Sequence, residues 1–301
     1  EVVVHLAAET GTGQSMYQID RYSEVNIGGT ARLLDILANS EHSVKRVVVA
    51  SSRSIYGEGR YRSQDGRFVY PDHRSEAAMA SGDFEVTHPG VDGPLELVAT
   101  DEGSKIHPSS VYGITKQVQE QMVMTVCPSI GIEGVALRYQ NVFGPGQSLS
   151  NPYTGILSIF SNLIMQGKPI NIFEDGEESR DFFFVDDVVE ATVLGVEHPS
   201  AANEVFNVGT GVPITVMTVA QTLSRLLETE VPIAISGNFR LGDIRHNYAD
   251  LTKIGDVLGF QPVYDFEAGI ARLAAWARDT GPQRSTYEES LEEMRRKGLM
   301  K

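Results

Sequence analysis

Uninterrupted apolar runs alternate along the chain with segments that repeat apolar residues at every third or fourth position. The runs are "VVVHL" (2–6), "RVVVAS" (46–51) and "EGVALR" (133–138). Lacking polar alternation, each is expected to be a strand covered on both faces, as in a parallel sheet. Between them, 22–38 carries Leu33, Leu34 and Leu37 at helical spacing, and 111–126 is expected to form a second helix. This order predicts an α/β fold, a doubly wound parallel sheet with right-handed crossovers. The first run begins at Glu1 without a lead-in. A strand that starts inside a core implies further strands before it, so a truncated sheet is expected, and any N-terminal targeting signal would be lost with the missing part.

Beyond Gly144 the texture shifts to shorter segments: "PINIF" (169–173), "DFFFVDD" (181–187), "EVFNVG" (204–209) and "VPIAI" (231–235). Helices are expected at 216–227, capped by Thr215, near 250–258 and at 266–277, and the end of the chain is a charged helix or frayed tail. The pattern divides the chain into 1–145, a sheet domain with a polar insertion at 58–108, and 146–301, a smaller α/β domain with some segments returning to the first. An insertion that long is expected to be a lid or an added element rather than a connector.

Composition narrows the function classes. The 301 residues are 41% hydrophobic and carry a formal charge of −15. Such an excess of acid argues against a non-specific nucleic-acid or anionic-membrane surface. One cysteine, Cys127, excludes an internal disulfide and favours a reducing, cytoplasmic setting. It reads as a small buried hydrophobe, and His5 as a satisfied core histidine.

Ligands of open α/β sheets sit beyond the carboxyl ends of the strands. Those ends carry, in order, "HLAAETG", then Ser51, Ser52 and Ser54, and last "LRYQNVFGPGQ". Ahead of the third strand, Tyr112 and Lys116 lie four apart on the predicted helix, on one face. Taken singly, the Tyr–Lys spacing suits a solvated surface pair as well as a proton-transfer pair, and serines often end strands. Together they make the layout of a hydroxyl–ketone redox site. An ammonium near a phenol favours phenolate, which would make Tyr112 a usable base near neutral pH.

Eight segments in order, "HLAA" (5–8), "NIGGT" (26–30), "SSRSIYG" (51–57), "YGITK" (112–116), "LRYQNVFGPGQ" (137–147), "SRDFFFVDDV" (179–188), "FNVGTG" (206–211) and "GDIRHNYAD" (242–250), resemble the extended short-chain dehydrogenase/reductases, specifically NAD-dependent nucleotide-sugar epimerases and dehydratases. The resemblance covers nearly the whole chain and implies a Rossmann-type NAD domain with a smaller nucleotide-sugar domain. It implies Tyr112 as base, Lys116 as its activator and NAD-ribose ligand, and Ser52 as the hydroxyl on the reacting oxygen. Leu6, Ala7, Ala8, Glu9, Asn26, Ser51 and Tyr139 would serve the cofactor site. Ser54, Asn141, Asn151, Arg180 and Arg245 would serve the substrate, the two arginines at its diphosphate. Taken alone, Arg180 fits equally well a salt bridge to Asp186 or Asp187.

Dehydratases of this family resemble one another in carrying Asp-Glu after the catalytic hydroxyl residue, and related decarboxylases keep the Glu; here those places hold Arg53 and Ser54. Without that carboxylate, the resemblance implies a 4-epimerase on dTDP-L-rhamnose or a UDP-hexose. The alternatives are a dehydratase or reductase of the same fold, or a non-catalytic nucleotide-sensing relative. It also implies a homodimer built on the two early helices. The insertion lacks the cysteines that suggest a metal knuckle in similar proteins, so no metal is expected. Neither G-x-x-G-x-x-G nor G-x-G-x-x-G occurs. Most of the NAD pyrophosphate site is therefore expected upstream of Glu1, and weak NAD binding by these residues alone.

Overall fold

Four parallel strands, Val2–His5, Arg46–Ser52, Glu133–Tyr139 and Glu204–Val208, lie side by side in that order. The computed structural model describes residues 1–153 and 155–301. The pleat, with helices on both sides, explains why the second and third strands are buried at successive positions and apolar through their middles. Val47, Val49 and Ala136 face Leu34, Leu37, Val123 and Cys127 of the helices Gly29–Asn39 and Val111–Ser129. Val48, Val135 and Leu137 face Val188, Ala191 and Ile254 of the helices Val185–Glu197 and Thr252–Leu258.

The Val2–His5 strand departs from expectation. It is the edge of the described sheet, and Val2 and Val4 are 40% and 39% exposed. Val3 packs under the helices, but no described helix lies across the opposite side, so one face alone is covered.

A second group of elements is organised by the Ser179–Phe184 strand. It pairs with Asn141–Phe143 and His246–Asn247 in parallel and with Pro213–Thr215 antiparallel. Phe143, Phe182 and Phe184 fill a core with Leu157, Phe160, Leu223, Ile270 and Leu273, under the helices Ile156–Met165, Val216–Leu226 and Phe266–Thr280. Thr215 caps the Val216–Leu226 helix, accepting from Thr218 N at 3.1 Å.

Part of the 58–108 stretch is ordered into three short antiparallel strands, Tyr61–Arg62, Phe68–Val69 and Glu96–Leu97. Tyr61, Val69 and Val86 form its own small core, while Met79 and Phe84 pack on Phe239. Among the described residues no helix is long and apolar enough to cross a membrane.

Candidate active site

The carboxyl ends of the central strands open into a cavity of ≈ 570 Å³. Ser52, Ser54, Tyr112 and Lys116 form one wall; Arg180, Phe182, Phe173, Arg240 and Tyr287 form the other, and Arg53, whose charge acts on both Tyr112 and Asp243, lies between them. Register explains the first wall, because Ser52 pairs with Tyr139 at the same sheet edge.

Ser52 caps the short 3-10 turn Arg53–Tyr56. Its Oγ accepts from Ser54 N at 3.1 Å and Ser54 Oγ at 2.9 Å, so its own O–H is free to donate. Tyr112 is the second residue of the Val111–Ser129 helix, which Ser110 caps by accepting from Gly113 N at 3.1 Å. The positive end of the helix dipole favours phenolate at that position. Gly113 allows this helix to approach the turn, since a Cβ there would lie 2.6 Å from Ser54 O.

Burial raises the Tyr112 phenol above its ordinary pKa, opposed by a hydrogen bond from Ser52 and by the Arg53 charge. The expected effect of Lys116 is not what faces the phenol here. Lys116 Nζ donates to Ala50 O at 2.8 Å, anchored to the neighbouring strand, and burial lowers its pKa to about 8. The four-residue spacing puts both side chains on one wall, but the strand carbonyl captures the ammonium.

That ammonium has three donors and a single protein acceptor, leaving capacity toward the cavity. With Leu6, Ala8 and Gly11 beside it, the arrangement fits the hydroxyls of a nicotinamide ribose against small backbone. Ser51 and Tyr139 line the same cavity, with Ser51 donating to Glu120 at 2.5 Å and Tyr139 hydrogen-bonded to Thr192 at 2.7 Å. Asn26 is fully buried in a π-helical turn, Ser23–Gly28. It accepts from Glu9 N at 2.7 Å and donates to Glu9 O at 3.1 Å and Thr115 Oγ1 at 2.9 Å. Asn26 therefore ties the loop after the first strand to the Tyr112 helix without lining the cavity.

Ser52, Tyr112 and Lys116 thus line one cavity at the strand ends. The chain matches the NAD dependent epimerase/dehydratase family over 1–76 and 88–209. It belongs to that family. A dTDP-L-rhamnose 4-epimerase of Burkholderia thailandensis is 37% identical over 276 residues, 92% of this chain and 74% of the relative. A Thermotoga maritima UDP-glucose 4-epimerase, solved with UDP-glucose, has 30% identity and a TM-score of 0.75, covering 93% of this chain and 78% of the other. MoeE5, solved with UDP-glucuronic acid and NAD, has 29% identity and a TM-score of 0.74, covering 93% and 79%.

Within this family member, the expected substrate residues divide. Ser54, Asn141 and Arg180 line the cavity. Asn141 Oδ1 accepts from Arg53 Nε at 3.2 Å. Arg180 pairs with neither Asp186 nor Asp187; its guanidinium donates to Asp243 at 3.1 Å and to the Ile244 and Arg245 carbonyls. Arg245 corrects the expectation. It is 2% exposed and off the cavity wall, because Glu85, Glu174 and Asp175 take up its guanidinium at 2.7–3.2 Å. The cavity arginine is Arg240, five residues earlier, held by Asp243 at 2.7 Å. Burial would raise the Asp243 carboxyl, but four arginines, Arg240, Arg180, Arg74 and Arg53, outweigh it and hold the group well below the carboxylate range.

Ala7 is absent from the cavity wall, while Asn151 and Glu9 border a second, shallower hollow with Arg21 and Arg284. There Glu9 pairs with Arg21 at 2.7 Å. Arg53, noted in the sequence only for the carboxylate it replaces, is a cavity cation whose pKa burial and the nearby Arg180 bring down to about 10.

Proposed function

We propose that this protein is a nucleotide-sugar 4-epimerase. The observation that carries the reading is the meeting of Ser52, Tyr112 and Lys116 in one cavity with Arg53, Arg180 and Arg240. One end suits proton and hydride chemistry at a hydroxyl; the other suits a diphosphate. Tyr112 takes the proton from the sugar C4 hydroxyl, with the Ser52 O–H donating to the same oxygen. Bound NAD would accept the hydride from C4 and return it to the opposite face. Lys116 holds the cofactor ribose with its spare donors, and Asn141, Arg180 and Arg240 hold the ligand's phosphates. Among the described residues the cavity's carboxyls, Glu178 and Asp243, lie on the far wall with the arginines. No carboxylate therefore flanks Tyr112 to drive elimination, which favours epimerisation over dehydration.

The relatives support dTDP-L-rhamnose or a UDP-hexose as substrate. Incubation with NAD and dTDP-L-rhamnose, UDP-glucose or UDP-glucuronic acid in turn should convert one into its C4 isomer, resolved by chromatography and NMR. Net NADH formation or a 4-keto-6-deoxy product would replace the reading with a reductase or dehydratase.

A homodimer is part of the same proposal. The Gly29–Asn39 and Val111–Ser129 helices expose Ile36 and Ile114 by 60% and 46% beside the buried Leu34 and Leu37. An Ile36→Glu substitution should halve the mass measured by light scattering. An unchanged dimer would place the interface elsewhere.

A further inference from the structure

The far wall of the cavity holds a carboxyl that the reading above does not use. Glu178 precedes the Ser179–Phe184 strand and continues its pairing, since its carbonyl accepts from Val216 N at 2.9 Å. Alternate residues share a face. Glu178, Arg180 and Phe182 accordingly all line the cavity, at roughly 6–7 Å intervals. Phe182 stands beside Asn141 in register, so the row runs from Asn141, through Arg180, to Glu178.

Glu178 is 8% exposed, and its Oε2 is buried without a hydrogen-bond partner among the described residues. Neither nearby arginine satisfies it. Arg180 and Arg240 both bond to Asp243 instead. A buried, unmatched carboxyl costs stability unless a ligand or a proton compensates it.

Charge balance indicates which. A nucleotide-sugar diphosphate carries one negative charge per phosphate. Arg53, Arg180 and Arg240, less Asp243, leave that end of the cavity with a matching positive charge if Glu178 is neutral. An ionised Glu178 would leave it one short and set a carboxylate against the phosphates. We propose that Glu178 is a further substrate-binding residue at the nucleotide end, binding as the neutral acid and donating its proton to the ligand's diphosphate. This rests on the nucleotide-sugar reading above.

Burial, and then the negative charge of Glu174, push the Glu178 carboxyl up to about 7, with Arg180 opposing and Asp243 reinforcing. Glu174 is itself paired with Arg74 at 2.7 Å and Arg245 at 3.2 Å. Arg240 and Tyr287 line the same cavity. An arriving diphosphate raises the carboxyl further, so binding takes up a proton. The acid form is lost as pH rises through about 7, and affinity must fall with it.

The test uses UDP-glucose and dTDP-glucose as probes, because their diphosphates have no ionisation between pH 6 and 9. Titration calorimetry of the tighter probe at pH 7.5, in two buffers of different ionisation enthalpy, should show uptake of most of one proton. From pH 6.5 to 8.5 the wild-type Kd should weaken roughly twentyfold. E178Q, which keeps a donor and cannot ionise, should bind with a flat pH profile. Wild-type binding without proton uptake overturns the proposal, as does an E178Q profile as steep as wild type. The calorimetric arm needs no variant and so decides even if E178Q does not fold. Failure of both probes to bind at any pH would instead sink the nucleotide-sugar reading, and this one with it.

Discussion

Tyr112→Phe is expected to lower kcat about a thousandfold while leaving nucleotide-sugar affinity and thermal unfolding near wild type. The ring is retained, and only a cavity-lining hydroxyl that accepts from Ser52 is lost. Folding therefore loses about one hydrogen bond, a change of roughly 1 kcal/mol. Chemistry loses its base. Ser52 cannot replace it, since an ordinary hydroxyl ionises far above the phenol, and Lys116 is held on Ala50 O by its own strand contact. The phenol's pKa is raised by burial in the cavity, so the activating positive charge would have to be supplied by bound NAD, which Lys116 would help to hold. The measurement is steady-state turnover beside a melting curve. A variant that matches wild type in turnover would remove Tyr112 from the chemistry and favour a nucleotide-sensing protein.

How far the sequence already contained this arrangement depends on the range of each signal. The Arg46–Ser52 and Glu133–Tyr139 strands were legible because their apolar residues serve two helical layers, and a continuous run reports that locally. The Val111–Ser129 helix was legible from its periodicity, and Ser110 supplies its cap. The edge position of Val2–His5 was not, because an apolar run looks the same with one face covered or two. The short antiparallel strands around Tyr61 escaped notice since two residues are too few to display alternation. The choice between Arg240 and Arg245 was decided at long range. Arg245 is claimed by Glu85, 160 positions away, and by Glu174 and Asp175, some 70 away. The arginines in "RLGDIR" differ in role because of partners that no local pattern announces. The available clue was the Asp243 that follows Arg240 at i+3, a spacing suited to a held guanidinium.

The largest stability effect is expected at Glu120, on the turn of the helix that follows Lys116. Its carboxylate meets Arg138 through Oε1 at 2.6 Å and Oε2 at 3.0 Å, and both side chains are about 5% exposed. Arg138 also donates to Tyr56 at 2.6 Å and to Glu102 O at 3.1 Å, while Glu120 accepts from Ser51 at 2.5 Å. Glu120→Ala would strand a guanidinium in the interior, at a cost of about 3–5 kcal/mol. For a chain of this size that corresponds to a fall in Tm of roughly 10 °C. Removing both charges should cost less than removing one, because no buried ion is then left unpaired. The double variant Glu120→Leu/Arg138→Met should therefore melt above Glu120→Ala, giving a favourable coupling in the cycle. Activity should fall in either case, since Ser51 and the strand beneath Ser52 lose their anchor. If Glu120→Ala melted within a degree of wild type, the pair would be a bystander and the rigidity of the Ser52 strand end would need another source.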